Sequence, residues 1–434
     1  MMKQFGVGLL GFGTVGAGVF QGLQENRDLL ASRLGIDLVV RRIGDLDITT
    51  DRGVEVDSSL LTTDAREVIA DPSVDIVVEL IGGSGIARTL MTEALQAGKP
   101  VVTANKKLLA EHGDELFSLA AEKGVDLGFG ASVGGGIPVI RVAREALAGN
   151  RFRRVLGILN GTCNYILTRM EGEGLPFEQV LAEAQELGYA EANPALDIDG
   201  HDTAHKATIL ASLAYGFHVP LADVPVEGIR GLDGLDVRFA RELGYRIKLL
   251  AVIAGGDEGD IEVRVHPALI PLGHMLASVS GVFNAVMFTG DLSGDTLHYG
   301  RGAGRAPTAS TVISDIADVA RGLAAGSPRH ARGIPLAGAA RRIRPLAEIT
   351  SRYYLRLAVK DVPGTLGTLS TALGARGVSI SAVIQKDGGA DAGPFVPVVV
   401  ITAPSVEADL DAALADIAAS GILGAGPSKL RIVG

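Results

Sequence analysis

FGVGLLGFGTVG, residues 5–16, decides how the rest of the chain is read. Its first half is a short apolar run punctuated by glycine, as expected of a strand buried on both faces. Its second half places Gly11, Gly13 and Gly16 in the spacing G-x-G-x-x-G, ahead of a helical apolar pattern at Val15, Val19 and Leu23. Such a triplet is weak alone, but between a strand and a helix it carries a mechanism. The first glycine permits a tight turn, the second lets backbone approach a pyrophosphate, and the third lets the helix pack on the strand. The helix start adds free N–H groups and the positive end of its dipole. Gly11, Phe12, Gly13, Thr14, Val15 and Gly16 are therefore the candidate dinucleotide loop.

The same rhythm continues. IDLVVRRI (36–43), DIVVELIGG (75–83), KPVVTANK (99–106) and VDLGFG (125–130) read as strands, with amphipathic segments around 64–70, 86–97 and 107–123 between them. This alternation predicts an α/β fold, with a Rossmann-type doubly wound parallel sheet over residues 1–137. At the end of its second strand, RRIGDLD (41–47) leaves cofactor choice open. Asp45 can accept from ribose hydroxyls, which favours NAD; Arg41 or Arg42 can pair with a 2′-phosphate, which favours NADP.

After GGGIP (134–138) the pattern becomes an α+β block with its own sheet over 138–306, built on RRVLGIL, IKLLAVI, IEVRVHP and NAVMFTGD. Residues 307–325 read as one helix returning to the nucleotide domain, and 326–352 as a basic linker. A fresh β-α-β-β pattern opens at YYLRLAVKD and runs over 353–434, where Pro397 predicts an edge or irregular strand.

The chain has 434 residues, enough for two or three domains, and a formal net charge of −10, which argues against nucleic-acid binding. Its single cysteine, Cys163, allows no internal disulfide and suits a cytoplasmic setting. No apolar stretch reaches the roughly 18 residues of a membrane span. The glycine-broken start does not read as a signal segment.

GYAEANPALDIDGHDTAHK (188–206) concentrates acids in a chain that is only 21% charged. The plainest reading is a charged loop opening a helix, with Asp199 as its N-cap. Asp202 and Lys206 then share a helix face at i, i+4, a spacing that most often marks a surface bridge. His201 and His205 share a face too and suggest a metal. The glutamate of a zinc-protease helix is missing after His201, however, where Asp202 stands. Acid/base chemistry beside a nicotinamide is the reading that also uses the glycine loop.

GLLGFGTVG, VVTANKK, ASVGGGIP, ILNGTCNYIL, ELGYAEANPALDIDGHDTAHK and GRGAGRAPTAS occur in this order across about residues 5–322. Together they resemble homoserine dehydrogenase. The resemblance implies NAD- or NADP-dependent interconversion of L-aspartate 4-semialdehyde and L-homoserine, in a homodimer or homotetramer. It implies that Lys206 supplies the proton to the carbonyl oxygen, that Asp202 binds substrate and orients Lys206, and that Glu191 holds the substrate amine. Tyr189, Asp197 and Thr162 match further substrate positions. Thr103, Lys106, Gly188 and Gly302 match cofactor-side positions. The chemistry agrees, because hydride addition builds negative charge on the aldehyde oxygen, which a nearby ammonium stabilises and protonates. A free lysine titrates near about 10.4, so burial or a second lysine such as Lys106 is expected to lower Lys206. Backbone N–H groups of NGT (160–162) suit the substrate carboxylate.

The chain departs from the family at Gly130, where a glutamate usually helps bind a monovalent cation. Carbonyls of Val133, Gly135 and Ile137 remain as metal ligands, so weak sodium or potassium binding, or none, is expected. Cys163 raises a thioester mechanism like that of aspartate-semialdehyde dehydrogenase. NGTCNY does not resemble that enzyme's nucleophile turn, so Cys163 reads as a packing residue. Residues 353–386 resemble the ACT domain, a βαββαβ module that binds amino acids; in this family it implies feedback control by threonine. The reading of a different class is an amino-acid-binding regulatory protein with an inactive dehydrogenase core.

Overall fold

The glycine-punctuated run at 5–10 forms the second half of strand Lys3–Leu10 (β1), buried from Phe5 onward. The computed structural model describes residues 2–255, 259–327, 339–385 and 393–433. β1 lies inside a six-stranded parallel sheet of order β3-β2-β1-β4-β5-β6. Its partners are Ile36–Gly44 (β2), Leu61–Thr62 (β3), Ile76–Glu79 (β4), Val101–Thr103 (β5) and Leu127–Gly128 (β6). The two-residue β3 is too short to leave a period in the sequence. Helices Thr14–Glu25 (α1), Arg27–Leu34 (α2), Ala65–Ala70 (α3), Ile86–Gln96 (α4) and Lys106–Lys123 (α5) connect the strands. This is the Rossmann-type arrangement that the alternation predicted.

The next block begins with Val139–Arg141 (α6), which continues through 142–146 as a wider π turn. It contains Phe152–Ile158 (β7), Gly161–Glu173 (α7), Phe177–Glu186 (α8), Ala195–Ile198 (α9), His201–Tyr215 (α10) and Gly234–Glu242 (α11). Strands Tyr245–Ala254 (β8), Glu262–Pro271 (β9), Phe283–Gly290 (β10) and Gly294–Arg301 (β11) complete its sheet. Helices α7 and α10 share a core with the side chains of one sheet face, including Val155, Leu249, Ala251 and Val286. Arg305–Ala325 (α12) then returns to pack on α1, adding Val312, Ile316 and Val319 to the core beneath β1.

The tail comprises Thr350–Lys360 (β12), Thr365–Ala375 (α13), Ile380–Gln385 (β13), Phe395–Thr402 (β14), Ser405–Val406 (β15), Glu407–Ala419 (α14) and Ser428–Ile432 (β16). It has a core of its own and also joins the catalytic sheet. β16 pairs in parallel with β9, so both sheets form one ten-stranded sheet that includes β11-β10-β7-β8-β9-β16-β12-β14-β13. Part of the expected linker, 328–338, lies outside the described residues. The described part is pinned rather than free: Ile343 bridges Ile261, and Arg344 pairs with Glu262 at 2.8 Å. Pro397 is also placed differently from the expectation. It opposes Ala358 in β14, an interior strand between β12 and β13. The described pairing to β13 begins only at Val398, so no described neighbour on that side requires an N–H from the proline.

Candidate active site

The glycine loop has the shape its spacing predicts. Gly11 turns with φ 98°, and a Cβ there would fall 2.7 Å from the Leu80 carbonyl carbon. Gly16 lies against the Gly11 carbonyl, 2.2 Å from where its Cβ would be. Nothing lies within 4 Å of a Cβ at Gly13, the N-cap of α1, and no side chain caps that helix. An open backbone cradle at an uncapped helix start fits a pyrophosphate. Phe12 contributes less than expected, because its ring packs edge-on to Phe20 and its N–H donates to Asp45 at 2.5 Å. Thr103 is not in the cleft. Its hydroxyl donates to buried Glu79 at 2.7 Å and accepts from the Asn105 N–H, bracing the start of α5. Arg41 and Arg42 are engaged elsewhere, with Gln4, and with Asp71 and the Ser59 carbonyl.

Between the nucleotide domain and the second block lies a cleft of about 560 Å³. Lys206 and Asp202 project into it from α10, and Lys106 from the start of α5. Lys206 Nζ donates to Asp202 at 2.7 Å and to the Leu159 carbonyl at 2.6 Å; Lys106 Nζ stands 3.1 Å from the other Asp202 oxygen. The helix is capped by Gly200 at φ 87°, not by Asp199, whose carboxylate is held by Arg230 at 2.7 Å. A left-handed cap favours glycine, and the turn it makes places Asp202 in the first helical turn, with Lys206 one turn further along. His201 is exposed and His205 buried. Among the described residues, no group of three His, Cys, Asp or Glu is placed to hold a metal.

The electrostatics follow from this packing. Burial, with Lys106 adding to it, lowers the Lys206 pKa below its ordinary value despite Asp202. Burial pushes Asp202 up, but Lys206 and Lys106 overcome it and hold the carboxylate well below its usual range. Asp202 acts most strongly on Lys106 and raises its pKa. Burial, then the Asp202 charge, raises Asp197.

Asn160 was missed by the sequence reading, which used only its backbone. Its oxygen caps α7 by accepting the Cys163 N–H at 2.8 Å. Its NH2 group donates to Asp197 at 2.7 Å and to Asp202 at 2.9 Å. Asn before a helix start is the local signal that pointed to it. Thr162 donates to the Tyr189 carbonyl at 2.5 Å, closing the side of the cleft where Gly188, Tyr189 and Glu191 lie. Val15, Asp197 and Gly302 line it too. Cys163 is fully buried, its thiol pushed well above the usual range by burial, which suits packing and not nucleophilic attack.

The cation loop fits its expected ion poorly. The Gly130 N–H donates to Asp315 at 2.7 Å, and a Cβ at 130 would fall 2.8 Å from that carboxylate. Burial pushes Asp315 up to about 6. Val133 and Ile137 are buried outside the cleft lining, which includes Gly135, and the Ile137 carbonyl accepts the Val139 N–H at 2.7 Å.

Comparison with known proteins agrees with this geometry. Residues 138–317 match the family model "Homoserine dehydrogenase", 11–129 match "Homoserine dehydrogenase, NAD binding domain", and 353–419 match "ACT domain". The chain is 46% identical over 421 residues to homoserine dehydrogenase of Neisseria gonorrhoeae, covering 96% of each chain. It is 40% identical to that of Bacillus subtilis, covering 94% of this chain and 93% of that one. A crystal structure of a homoserine dehydrogenase from Thiobacillus denitrificans superposes with TM-score 0.94 at 42% identity, over 100% of this chain and 99% of that one. A hyperthermophilic archaeal homoserine dehydrogenase in complex with NADPH superposes with TM-score 0.63 at 27% identity, over 73% of this chain and 98% of that one. Near-full-length relatives of this name leave the inactive-regulator reading without support. Family models for the catalytic and NAD-binding domains together span most of the chain, near-full-length relatives carry the same name, and the chain belongs to the homoserine dehydrogenase family.

Proposed function

We propose that Lys206 carries the proton in the interconversion of L-homoserine and L-aspartate 4-semialdehyde. The observation that supports this is a buried ammonium in the cleft whose pKa is lowered while Asp202 holds it at 2.7 Å. In the reducing direction Lys206 gives a proton to the carbonyl oxygen; in the oxidising direction its neutral form takes the hydroxyl proton. Asp202 fixes the Lys206 amine and pairs with Lys106 as well. Glu191 and Asp197 hold the substrate ammonium, Thr162 keeps Tyr189 in place beside it, and the first turn of α7 receives the carboxylate. Residues 11–16 with Lys106, Gly188 and Gly302 hold NAD or NADP, which exchanges the hydride when bound. Asp45 at the strand end, with Arg41 and Arg42 engaged elsewhere, favours NAD.

A groove of about 350 Å³ in the tail, lined by Asp361, Pro363, Gly364, Thr365 and Gln385 among others, suits an amino-acid effector, and we assign it threonine. Absorbance at 340 nm with homoserine and each cofactor, with and without threonine, tests these readings together. No turnover with either cofactor would remove the dehydrogenase assignment, and an unchanged rate under threonine would remove the effector. With Gly130 and Asp315 as they stand, activity is expected to be nearly independent of sodium and potassium. A strong saturable requirement in a salt titration would overturn that expectation.

A further inference from the structure

Asn284 sits in β10 opposite Gly300 of β11 and lines the catalytic cleft. The residue is 1% exposed. Its side-chain oxygen has no hydrogen-bond partner among the described residues, and its NH2 group makes no bond among them either. A buried amide unpaired at both ends costs stability, so its place beside a cleft calls for a reason other than packing.

The backbone is shaped to bring this amide to the cleft wall. Gly302 has no positive φ, so no turn requires glycine there; a Cβ would fall 2.0 Å from Asn284 Nδ2. A Cβ at Gly161 would meet Oδ1 at 3.7 Å. The amide thus sets an acceptor on the side of α7 and a donor against the turn that follows β11.

We propose that Asn284 pairs with the carboxamide of the bound nicotinamide, Oδ1 accepting an N–H and the NH2 group donating to the carbonyl oxygen. The proposal rests on the assignment of this cleft to homoserine and a nicotinamide cofactor, and the chemistry of their groups selects among them. The homoserine ammonium has only donors and would leave the Asn284 NH2 group unpaired. The homoserine carboxylate has only acceptors and would leave Oδ1 unpaired. The homoserine hydroxyl faces Lys206. A carboxamide carries an N–H donor and a carbonyl acceptor side by side, and so satisfies both ends of a second primary amide. Such a pair fixes how the ring is turned in the cleft, and the bare backbone at Gly302 leaves room for it.

Calorimetric titration of the full chain tests this with NADH and with ADP-ribose, which has the same adenosine and pyrophosphate but no nicotinamide. Asn284→Leu is close in shape and cannot hydrogen-bond. Its Kd for NADH is expected to rise about tenfold, while its Kd for ADP-ribose stays at the wild-type value. Reduced 3-acetylpyridine adenine dinucleotide has a methyl in place of the amide NH2, so it should lose less than NADH. Asn284→Ser carries the same comparison should Leu fail to fold. An unchanged NADH Kd would overturn the proposal. So would an equal loss for NADH and ADP-ribose, which would mark a merely structural role. A raised KM for homoserine with an unmoved NADH Kd would place the amide on the substrate and overturn it too. A wild-type chain that binds neither nucleotide would remove the cofactor assignment and this proposal with it; wild-type binding with an indifferent variant would remove the role of Asn284 alone.

Discussion

Asp202 and Arg431 are 3% and 1% exposed, and the structure satisfies the two buried ions in opposite ways. Asp202 has two lysines, at 2.7 and 3.1 Å, and cannot neutralise both. Arg431 lies between two carboxylates: Glu227, at 2.8 and 2.9 Å, and Glu407, which also takes Lys429 at 2.6 Å. The first cluster opens on a cleft and holds an amine whose pKa is lowered. The second raises the Arg431 pKa and lowers that of Glu407, and it joins β16 of the tail to the strand and loop of the catalytic block. Burial of charge alone does not mark a catalytic group; an uncompensated like charge facing a cavity does.

The two clusters are also connected. The Glu227 N–H donates to the Val265 carbonyl at 2.8 Å, and the Ile229 N–H to the Ile198 carbonyl at 2.7 Å. Gly228 fits between because a Cβ there would fall 2.2 Å from the Ile198 oxygen. The segment held by Arg431 therefore braces the turn between Asp197 and Asp202.

Lys206→Ala breaks the comparison at its strongest point. Turnover is expected to fall by about 10²–10⁴-fold, the usual scale of a general acid–base group, while cofactor binding by fluorescence titration survives. Near-normal kcat would take the proton away from Lys206. Arg431→Met tests the other cluster, where it leaves buried Glu407 with Lys429 as its one remaining cation among the described residues and frees Glu227. A loss of about 3–5 kcal/mol is expected, read from the urea midpoint and slope; an unmoved midpoint would make the junction dispensable.

Lys106→Met sharpens the comparison within the first cluster, with the smallest expected effect. Lys106 helps lower the Lys206 pKa, so its loss raises it. Homoserine oxidation needs neutral Lys206, so its rate rises with pH through that pKa, and the rising limb moves to higher pH in the variant. Semialdehyde reduction needs the protonated form, and its falling limb moves to higher pH too. Limbs that stay in place would show that the lysines do not interact.

The parallel sheet was legible because its central strands β1, β4 and β5 bury both faces and helices such as α1 and α4 carry their own period, whereas α2 buries nothing and left no signal. Asp202 and Lys206 were legible because four residues is one helical turn. The cap was misread at Asp199 because Asp is a common N-cap, whereas here a left-handed Gly200 makes the turn and Arg230 takes the acid. Pro397 was misread because edge placement depends on strand order, which no local pattern records.

The sequence by itself determined the nucleotide loop, the helical pair and the presence of a separate tail pattern, since all three depend on neighbours within a few residues. Only the tertiary structure decided that Lys106 would meet Asp202 across the cleft and that Asn160 would bond two acids at once. It also decided that Asp315 would lie where a side chain at 130 would go, and that β16 would extend the catalytic sheet. The physical reason is common to all four. Each joins groups distant in the chain, and their approach is set by how sheets and helices pack around shared cores, not by any local spacing.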